Sequence, residues 1–387
     1  MGKEREIDMN ILLVIPTNVG TIASISYDLY KGLLKRQGVN VYVVCLGPYS
    51  DDGFQFDEIL KIKEKEGVIG KLHSRFAELK KIKQRYAIDV SISTLLGATY
   101  WNVISGVGEK KIGIFHTRLA QMKYGGIIYY FENYVANKVL CSRLDKMIAV
   151  NKSAYLDLIH LHGDNKKIEL VYNIHDFSKI NELSKETISD DGERVIFEHP
   201  VILYVGNLYC NVKGTDRLLK AFKKIRSDNP DCRLVYVGSA PDGSLEKLMS
   251  MCADEGLDGY VHFLGRKRNP YKYMKQASML VSPSRDEGLP GVLIEALSLG
   301  LKVVATNSTM GVWEIMECIN DYDEDLMKIR RTNYGYICPN KLDDEDFTIK
   351  NLALAIEMCM SSRFEKIGAF DKKRFSEEEI IPHYIIK

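Results

Sequence analysis

Long apolar runs are missing from this 387-residue chain, and with no stretch of eighteen or more apolar residues a membrane-spanning helix is excluded. The opening MGKEREIDMNILLVIPTN carries charges and then a short apolar run, which predicts a first strand rather than a leader. Its sixth residue, Glu6, departs from the myristoylation pattern. Net charge is nearly absent as well. Lys plus Arg number 53 against 52 Asp plus Glu, leaving +1. Such a balance gives no global pull toward nucleic acid, so an electrostatic partner must be met by a local patch.

Metal and disulfide patterns are also lacking. Eight cysteines stand at 45, 141, 210, 232, 252, 318, 338 and 359, without a Cys-x-x-Cys pair or a regular spacing. They predict reduced core residues in a cytoplasmic protein. The one close histidine pair, His160 and His162, falls in an expected loop without an acidic partner pattern, so no metal is expected. No repeat of solenoid length and no low-complexity tract occurs. Neither glycine turn that follows a first strand spells Gly-x-Gly-x-x-Gly, which argues against a nicotinamide oxidoreductase.

What is present is alternation. The β-rich runs ILLVIPT, VNVYVVCLG, IDVSIST, KKIGIFHT, DKMIAVN and KIELVYN are separated by segments of helical period, which predicts a parallel, doubly wound sheet. The text turns polar at DFSKINELSKETISDDGERV, a candidate linker near 176–194. The rhythm then restarts with VILYVGN, DCRLVYVGS, YVHFLGR, ASMLVSPS and LKVVATN. Two such domains are therefore expected, 1–194 and 195–368, with a tail helix over 369–387 packing back on the first. Sheets of this kind bind ligands beyond the carboxyl ends of their strands, so two facing domains would share one cleft.

One charge run stands out. Residues 61–86, KIKEKEGVIGKLHSRFAELKKIKQRY, hold nine Lys or Arg against three Glu, with Ile69, Leu72, Phe76 and Leu79 on helical spacing. Two readings stand: a solvated helix face, or contact with anionic lipid or a phosphorylated acceptor.

The segment SPSRDEGLPGVLIEALSLG, 282–300, places Glu287 before a Gly288-Leu289-Pro290-Gly291 turn and Glu295 eight positions later among apolar residues. Gly288 and Gly291 let the backbone approach a ligand, and Pro290 suits the first turn of a helix that stops at Gly300. The free amides of that helix start form a seat for phosphate. Eight residues of helical rise put the two carboxylates roughly 12 Å apart along the chain, too far to flank one scissile bond comfortably. They suit the two ends of an elongated ligand with vicinal diols, such as a nucleotide sugar. An unpaired charge at Glu295, inside Val292, Leu293, Ile294, Ala296 and Leu297, would otherwise be expensive.

EGLPGVLIEALSLGLKVVAT resembles the signature of the retaining glycosyltransferases of group 1. VILYVGNLYCNVKGTDRLLKAF, RLVYVGSAPDGSLEKLMSM, VHFLGRKRNPYKYMKQASMLVSPS and PTNVGTIASISYDLYKGLLKRQGVNVYVV resemble further parts of that family. The resemblance implies an α/β chain of the GT-B fold, with two doubly wound Rossmann-like domains facing across a cleft. It implies catalytic roles for His116, near the donor sugar, for Lys213, at the donor diphosphate, and for Glu287. It implies donor contacts at Gly20, Asn207, Gly265, Arg266, Gly288, Leu289, Pro290, Gly291 and Glu295.

The family carries a second cation where this chain has Asn207, so phosphate binding is expected to be weaker or to borrow Arg266, Lys267 or Arg268. The implied partners are a nucleotide-sugar donor, most often UDP-linked, and a glycan or lipid-linked saccharide acceptor, with neither cofactor nor metal. The basic run 61–86 and the aromatic YGGIIYYFENY, 124–134, are compatible with a site at the inner face of the cell membrane. Two rival classes share the pattern: a nucleotide-sugar epimerase that needs no acceptor, and a binding subunit that never turns over. The joint presence of Glu287, Glu295, Lys213 and His116 favours catalysis.

Overall fold

A computed structural model describes residues 9–57, 59–63, 65–116, 138–240, 242–361 and 368–386. The chain divides into two compact units, Met1–Asp176 with Lys373–Lys387, and Phe177–Lys372.

The first unit is built on strands β1 (Met9–Ile15), β2 (Val39–Cys45), β3 (Ile59–Leu60), β4 (Val90–Thr94), β5 (Lys110–Phe115), β6 (Lys146–Ala149) and β7 (Ile168–Leu170). Their order is β3-β2-β1-β4-β5-β6-β7, and every pairing is parallel. A parallel sheet is covered on both faces, which is why all five residues of β4 are buried and β1 is apolar nearly throughout. Ile11, Leu13 and Ile15 pack on one face with Leu29, Tyr30 and Leu33 of the helix Gly20–Leu34. Leu12 and Val14 pack on the other with Leu79 and Ile82 of the helix Val68–Arg85.

The second unit repeats the plan with β8 (Val201–Val205), β9 (Arg233–Val237), β10 (Val261–Phe263), β11 (Met279–Ser282), β12 (Lys302–Thr306), β13 (Arg330–Arg331) and β14 (Gly335–Cys338). The order is β10-β9-β8-β11-β12-β14-β13, parallel except for the antiparallel edge pair β13 and β14. The helix Thr215–Arg226 shows how the sequence commits. Leu218, Leu219, Phe222 and Ile225 enter the core, while Lys220, Lys223 and Lys224 stay in water.

Three expectations change. The polar stretch near 176–194 is not a bare linker: it holds the helices Phe177–Ser184 and Asp191–Ile196 within the second unit. Its polar groups are used for caps and pairs, because Asp190 accepts from the Glu193 amide at 2.9 Å and Asn269 donates to the Leu183 carbonyl at 2.8 Å. The tail is not one helix. Lys373–Phe375 and Ile381–Tyr384 are 3₁₀ turns around a single turn Glu377–Ile380, packed on the first unit through Ile380, Ile381 and Tyr384. His160 and His162 close the helix Lys152–His162 instead of standing in a loop.

All eight cysteines are free, and all but Cys45 and Cys318 are buried. Among the described residues, no helix is long and apolar enough to cross a membrane.

Candidate active site

In the second sheet the strand order reverses between β8 and β11, where Ile202 and Leu203 pair with Met279 and Leu280. At such a reversal the connections leave to opposite faces and open a crevice beyond the carboxyl ends of the strands. The segments that leave those two ends carry Asn207 and Lys213 after β8, and Glu287 to Gly291 after β11.

Lys213 and Glu287 meet there. Lys213 Nζ lies 2.7 Å from Glu287 Oε1, and Ser284 Oγ donates to the same oxygen at 2.7 Å. Both side chains keep some contact with solvent, at 29% and 14% exposure, so the pair is open to an incoming ligand. Gly214 allows the close approach. Its φ of +61° is the left-handed region, and a Cβ there would stand 2.2 Å from the Pro283 carbonyl oxygen. Beneath the pair, the Tyr204 hydroxyl donates to the Asn207 carbonyl at 2.7 Å. Burial first, and then the nearby Glu287 carboxylate, push that phenol well above its ordinary range.

The Glu287–Pro290 turn is seated on the segment after β12. Thr309 Oγ1 donates to the Gly288 carbonyl at 3.1 Å, and a Cβ on Gly311 would lie 2.4 Å from that same oxygen. The helix Gly291–Ser298 begins directly after it with Pro290 in the cap position, and no side chain caps it. Amides at an uncapped helix start can donate to an anion. On the same helix Glu295 is half-buried between Ile294 and Ala296, and the Tyr271 hydroxyl donates to its Oε1 at 3.3 Å.

Gly265 follows β10 with φ +69° and is exposed, but its carbonyl already accepts from the Gly238 amide at 2.9 Å. Of the three cations considered as substitutes beside Asn207, Lys267 is paired with Glu193, whereas Arg266 and Arg268 are exposed.

Arg285 was not singled out from the sequence, yet it ties the site together. Its amide donates to the Val212 carbonyl at 2.8 Å, and its guanidinium donates to the Cys210 carbonyl, to Asp216 at 3.1 Å and to Glu345 at 3.1 Å. Arg217, fully buried, makes a two-pronged contact with Glu345 at 2.6 and 2.8 Å and donates to Asn340 at 2.7 Å. Asn340 closes the ring by donating to the Arg285 carbonyl at 2.9 Å. Burial alone would raise the Glu345 carboxyl, but Arg217 and Arg285 outweigh it and hold it below the usual range. The network joins the Lys213 loop to the Glu287 loop. The signal in the sequence was an arginine beside Leu218 and four residues before Ala221, where a buried apolar residue is expected.

The first unit reverses its order between β1 and β4. Gly20 opens the helix after β1 with φ +81° and open space around it, so conformation, not crowding, calls for glycine there. Asn18, fully buried and also missed, donates to the Ser50 carbonyl at 2.6 Å and accepts from the Ser50 amide at 2.9 Å, which clamps two loops. Leu95, after β4, holds φ +68° without being glycine, a strained backbone at the carboxyl end of a central strand. His116 follows β5 and is 6% exposed, and its carbonyl accepts from Asn151 at 3.3 Å. Burial pushes its imidazole down to about 4, and its Nε2 has no hydrogen-bond partner among the described residues. The aromatic segment 124–134 lies outside the described residues. Among the described residues, no three His, Cys, Asp or Glu side chains gather where a metal ion would sit.

Residues 199–340, which contain Lys213, Arg285, Glu287 and Glu295, match the family described as glycosyl transferases group 1. The second unit resembles a group 1 glycosyltransferase domain, since the matched stretch lies within Phe177–Lys372. An uncharacterised glycosyltransferase of Haemophilus influenzae is 25% identical over 338 residues, covering 85% of this chain and 87% of its own. The N-acetylgalactosamine-N,N'-diacetylbacillosaminyl-diphospho-undecaprenol 4-alpha-N-acetylgalactosaminyltransferase of Campylobacter jejuni is 30% identical over 197 residues, 49% of this chain and 50% of its own. The chain spans about half or less of the length of several curated relatives it matches. The structure of HepE from Anabaena, solved with UDP, superposes with a TM-score of 0.74 at 18% identity and covers 97% of this chain and 98% of that one. The fold is GT-B.

Proposed function

We propose that this chain is a retaining glycosyltransferase acting in the cytoplasm, which moves a hexose-type sugar from a nucleotide diphosphate, with UDP the preferred carrier, to a hydroxyl of a glycan or lipid-linked saccharide. The observation that carries the reading is the Lys213–Glu287 pair at the reversal between β8 and β11, beside the uncapped helix Gly291–Ser298.

Departure of the nucleotide diphosphate is the hard step, since negative charge grows on the leaving oxygen. A pre-placed ammonium and helix amides lower that barrier because they need no reorganisation when the charge appears. Lys213 supplies the ammonium, and the amides from Leu289 to Gly291 supply the dipole end. An entering diphosphate competes with Glu287 for Lys213. Glu287 is then released to accept from sugar hydroxyls, while Glu295 accepts from the ribose diol. The leaving oxygen takes the acceptor's proton, and the new bond forms on the face that the diphosphate leaves, so the anomeric configuration is kept. No metal enters this scheme, because Lys213, the helix amides and the exposed Arg266 meet the diphosphate. His116 is retained as a catalytic candidate of the first unit, where its depressed imidazole is neutral at pH 7 and can accept a hydrogen bond.

The Campylobacter relative, whose name places its acceptor on diphospho-undecaprenol, and the UDP held by HepE support these choices of acceptor and carrier. The test begins with a thermal-shift panel of UDP, GDP, ADP and CMP with their sugars, since a ligand at about 100 times its dissociation constant adds roughly 2.7 kcal/mol. A shift by one nucleotide that disappears in Glu295→Ala is expected. NMR of the glycoside product then reads its configuration. An inverted anomer, or conversion of the donor without any acceptor, overturns the reading.

A further inference from the structure

The helix Val68–Arg85 continues one face into two different environments. Placed at about 100° per residue, Val68, Ile69, Leu72 and Phe76 fall within the same sector as Leu79 and Lys83. In the second half of the helix that sector is inside the protein: Leu79 is buried against Leu12 and Val14, and Lys83 is fully buried with its ammonium 2.7 Å from Glu109. In the first half the sector is largely open to solvent. Val68 is 77% exposed, Ile69 84%, Leu72 50% and Phe76 37%. Of the stripe that the sequence periodicity announces, Ile69, Leu72, Phe76 and Leu79, it is Leu79 that is buried in the core.

The exposed apolar sector has cations on both sides. Lys80 borders one edge, and the half-buried Arg75 and then Lys71 lie beyond the other; Lys71 and Lys80 are exposed, and the exposed Lys61, Lys63 and Lys65 lie on the segment that leads into the helix. That segment is held against the helix, since the Lys65 amide donates to Ser74 Oγ at 3.2 Å. A helix with an apolar face bordered by lysines lies in the plane of a bilayer surface, its apolar side chains among the acyl chains and its ammoniums at the phosphates. A second copy of this chain fits less well, because it would bring the same lysines face to face.

We propose that Val68, Ile69, Leu72 and Phe76, with Lys61, Lys63, Lys65, Lys71 and Lys80, form a docking surface for an anionic lipid bilayer. The surface belongs to the first unit and does not depend on the donor chemistry of the second.

The test is co-sedimentation of the full chain with phosphatidylcholine vesicles that contain or lack phosphatidylglycerol. Binding is expected only with the anionic lipid, and raising the salt to about 0.5 M weakens it through screening. Ile69→Asp with Leu72→Asp lowers partitioning by about tenfold or more through the lost apolar contact. Lys71→Glu and Lys80→Glu each lower it about fivefold or more. Leu354→Asp, at an exposed apolar site of the other unit, changes nothing. Unfolding midpoints like that of the wild type certify that the variants are folded, and the two lysine variants replace the apolar pair if it fails that check. Equal binding to neutral vesicles, no binding to anionic ones, or undiminished binding by the folded variants overturns the proposal. So does a dimer in sedimentation analysis that Ile69→Asp with Leu72→Asp dissociates, which would assign the surface to a second copy.

Discussion

Lys213 and Glu287, 74 positions apart in sequence, face each other at 2.7 Å across the reversal of the second sheet. Two loops that leave neighbouring strands thus present one ammonium and one carboxylate to the same space. Partly exposed ion pairs contribute about 0–1 kcal/mol to stability, so this pairing is not explained as a fold requirement.

Removing the ammonium separates the two roles. Lys213→Ala is expected to lower kcat/KM with a nucleotide-sugar donor by about 10²–10³-fold, the scale of losing one pre-placed charge donor, and to shift the unfolding midpoint little. Steady-state kinetics beside thermal unfolding checks both halves. Turnover near that of the wild type would dismiss the role of Lys213.

Gly214 and Gly20 both hold positive φ, but only Gly214 is crowded. Gly20→Ala meets open space and is expected to lose about 1 kcal/mol from conformation alone. Gly214→Ala must also push Pro283 away, which separates the Lys213 loop from Glu287. Its expected signature is a larger fall in the unfolding midpoint together with a raised donor KM. Equal midpoints for the two variants would refute the crowding argument.

Lys83 is buried with Glu109, and its ammonium also donates to the Asn102 carbonyl at 2.7 Å and side-chain oxygen at 2.8 Å. Burial pulls the Lys83 ammonium down to about 8 despite the carboxylate. Burial would raise Glu109, yet Lys83 overrides it and holds that carboxyl low. Lys83→Met strands a buried carboxylate and is expected to lose about 3–5 kcal/mol, whereas Lys83→Met with Glu109→Gln loses less than the sum of the single changes. A double-mutant cycle in urea measures the coupling, and strict additivity would mean that the pair is not a unit.

His116 makes stability depend on pH with a definite sign. Its buried imidazole takes a proton only near pH 4, while the unfolded chain takes one near the ordinary value of about 6.5. The unfolded state gains the proton first, so stability is present above about pH 6.5 and is lost as pH falls through this window, by up to about 3 kcal/mol. Urea unfolding at pH 7 and pH 5 reads the loss. A His116→Gln variant with the same pH slope as the wild type would remove His116 from the account.

The strand runs were legible because a parallel sheet buries both faces, so β1, β4, β8 and β11 read as short continuous apolar words. The edge strands β3 and β13 have two residues each, and β14 has four, too few to show a pattern. The turn at Glu287–Gly291 was legible from its glycines and its carboxylate. Arg285 was not, because its partners Cys210, Asp216 and Glu345 are between 60 and 75 positions away. A contact made across such separations leaves no local period to read.

By itself, then, the sequence determined the alternation of strand and helix, the two successive sheets, and the loops that carry Lys213, Glu287 and Glu295, since each follows from apolar spacing and turn chemistry within a few residues. Only the tertiary structure decided that Lys213 pairs with Glu287, that Arg285 and Arg217 bind their loops through Glu345, and that one apolar helix face is buried at Leu79 but open at Ile69. These depend on which strands become neighbours and where the sheet ends beneath a helix. Both are set by the packing of whole elements, through contacts between residues far apart along the chain.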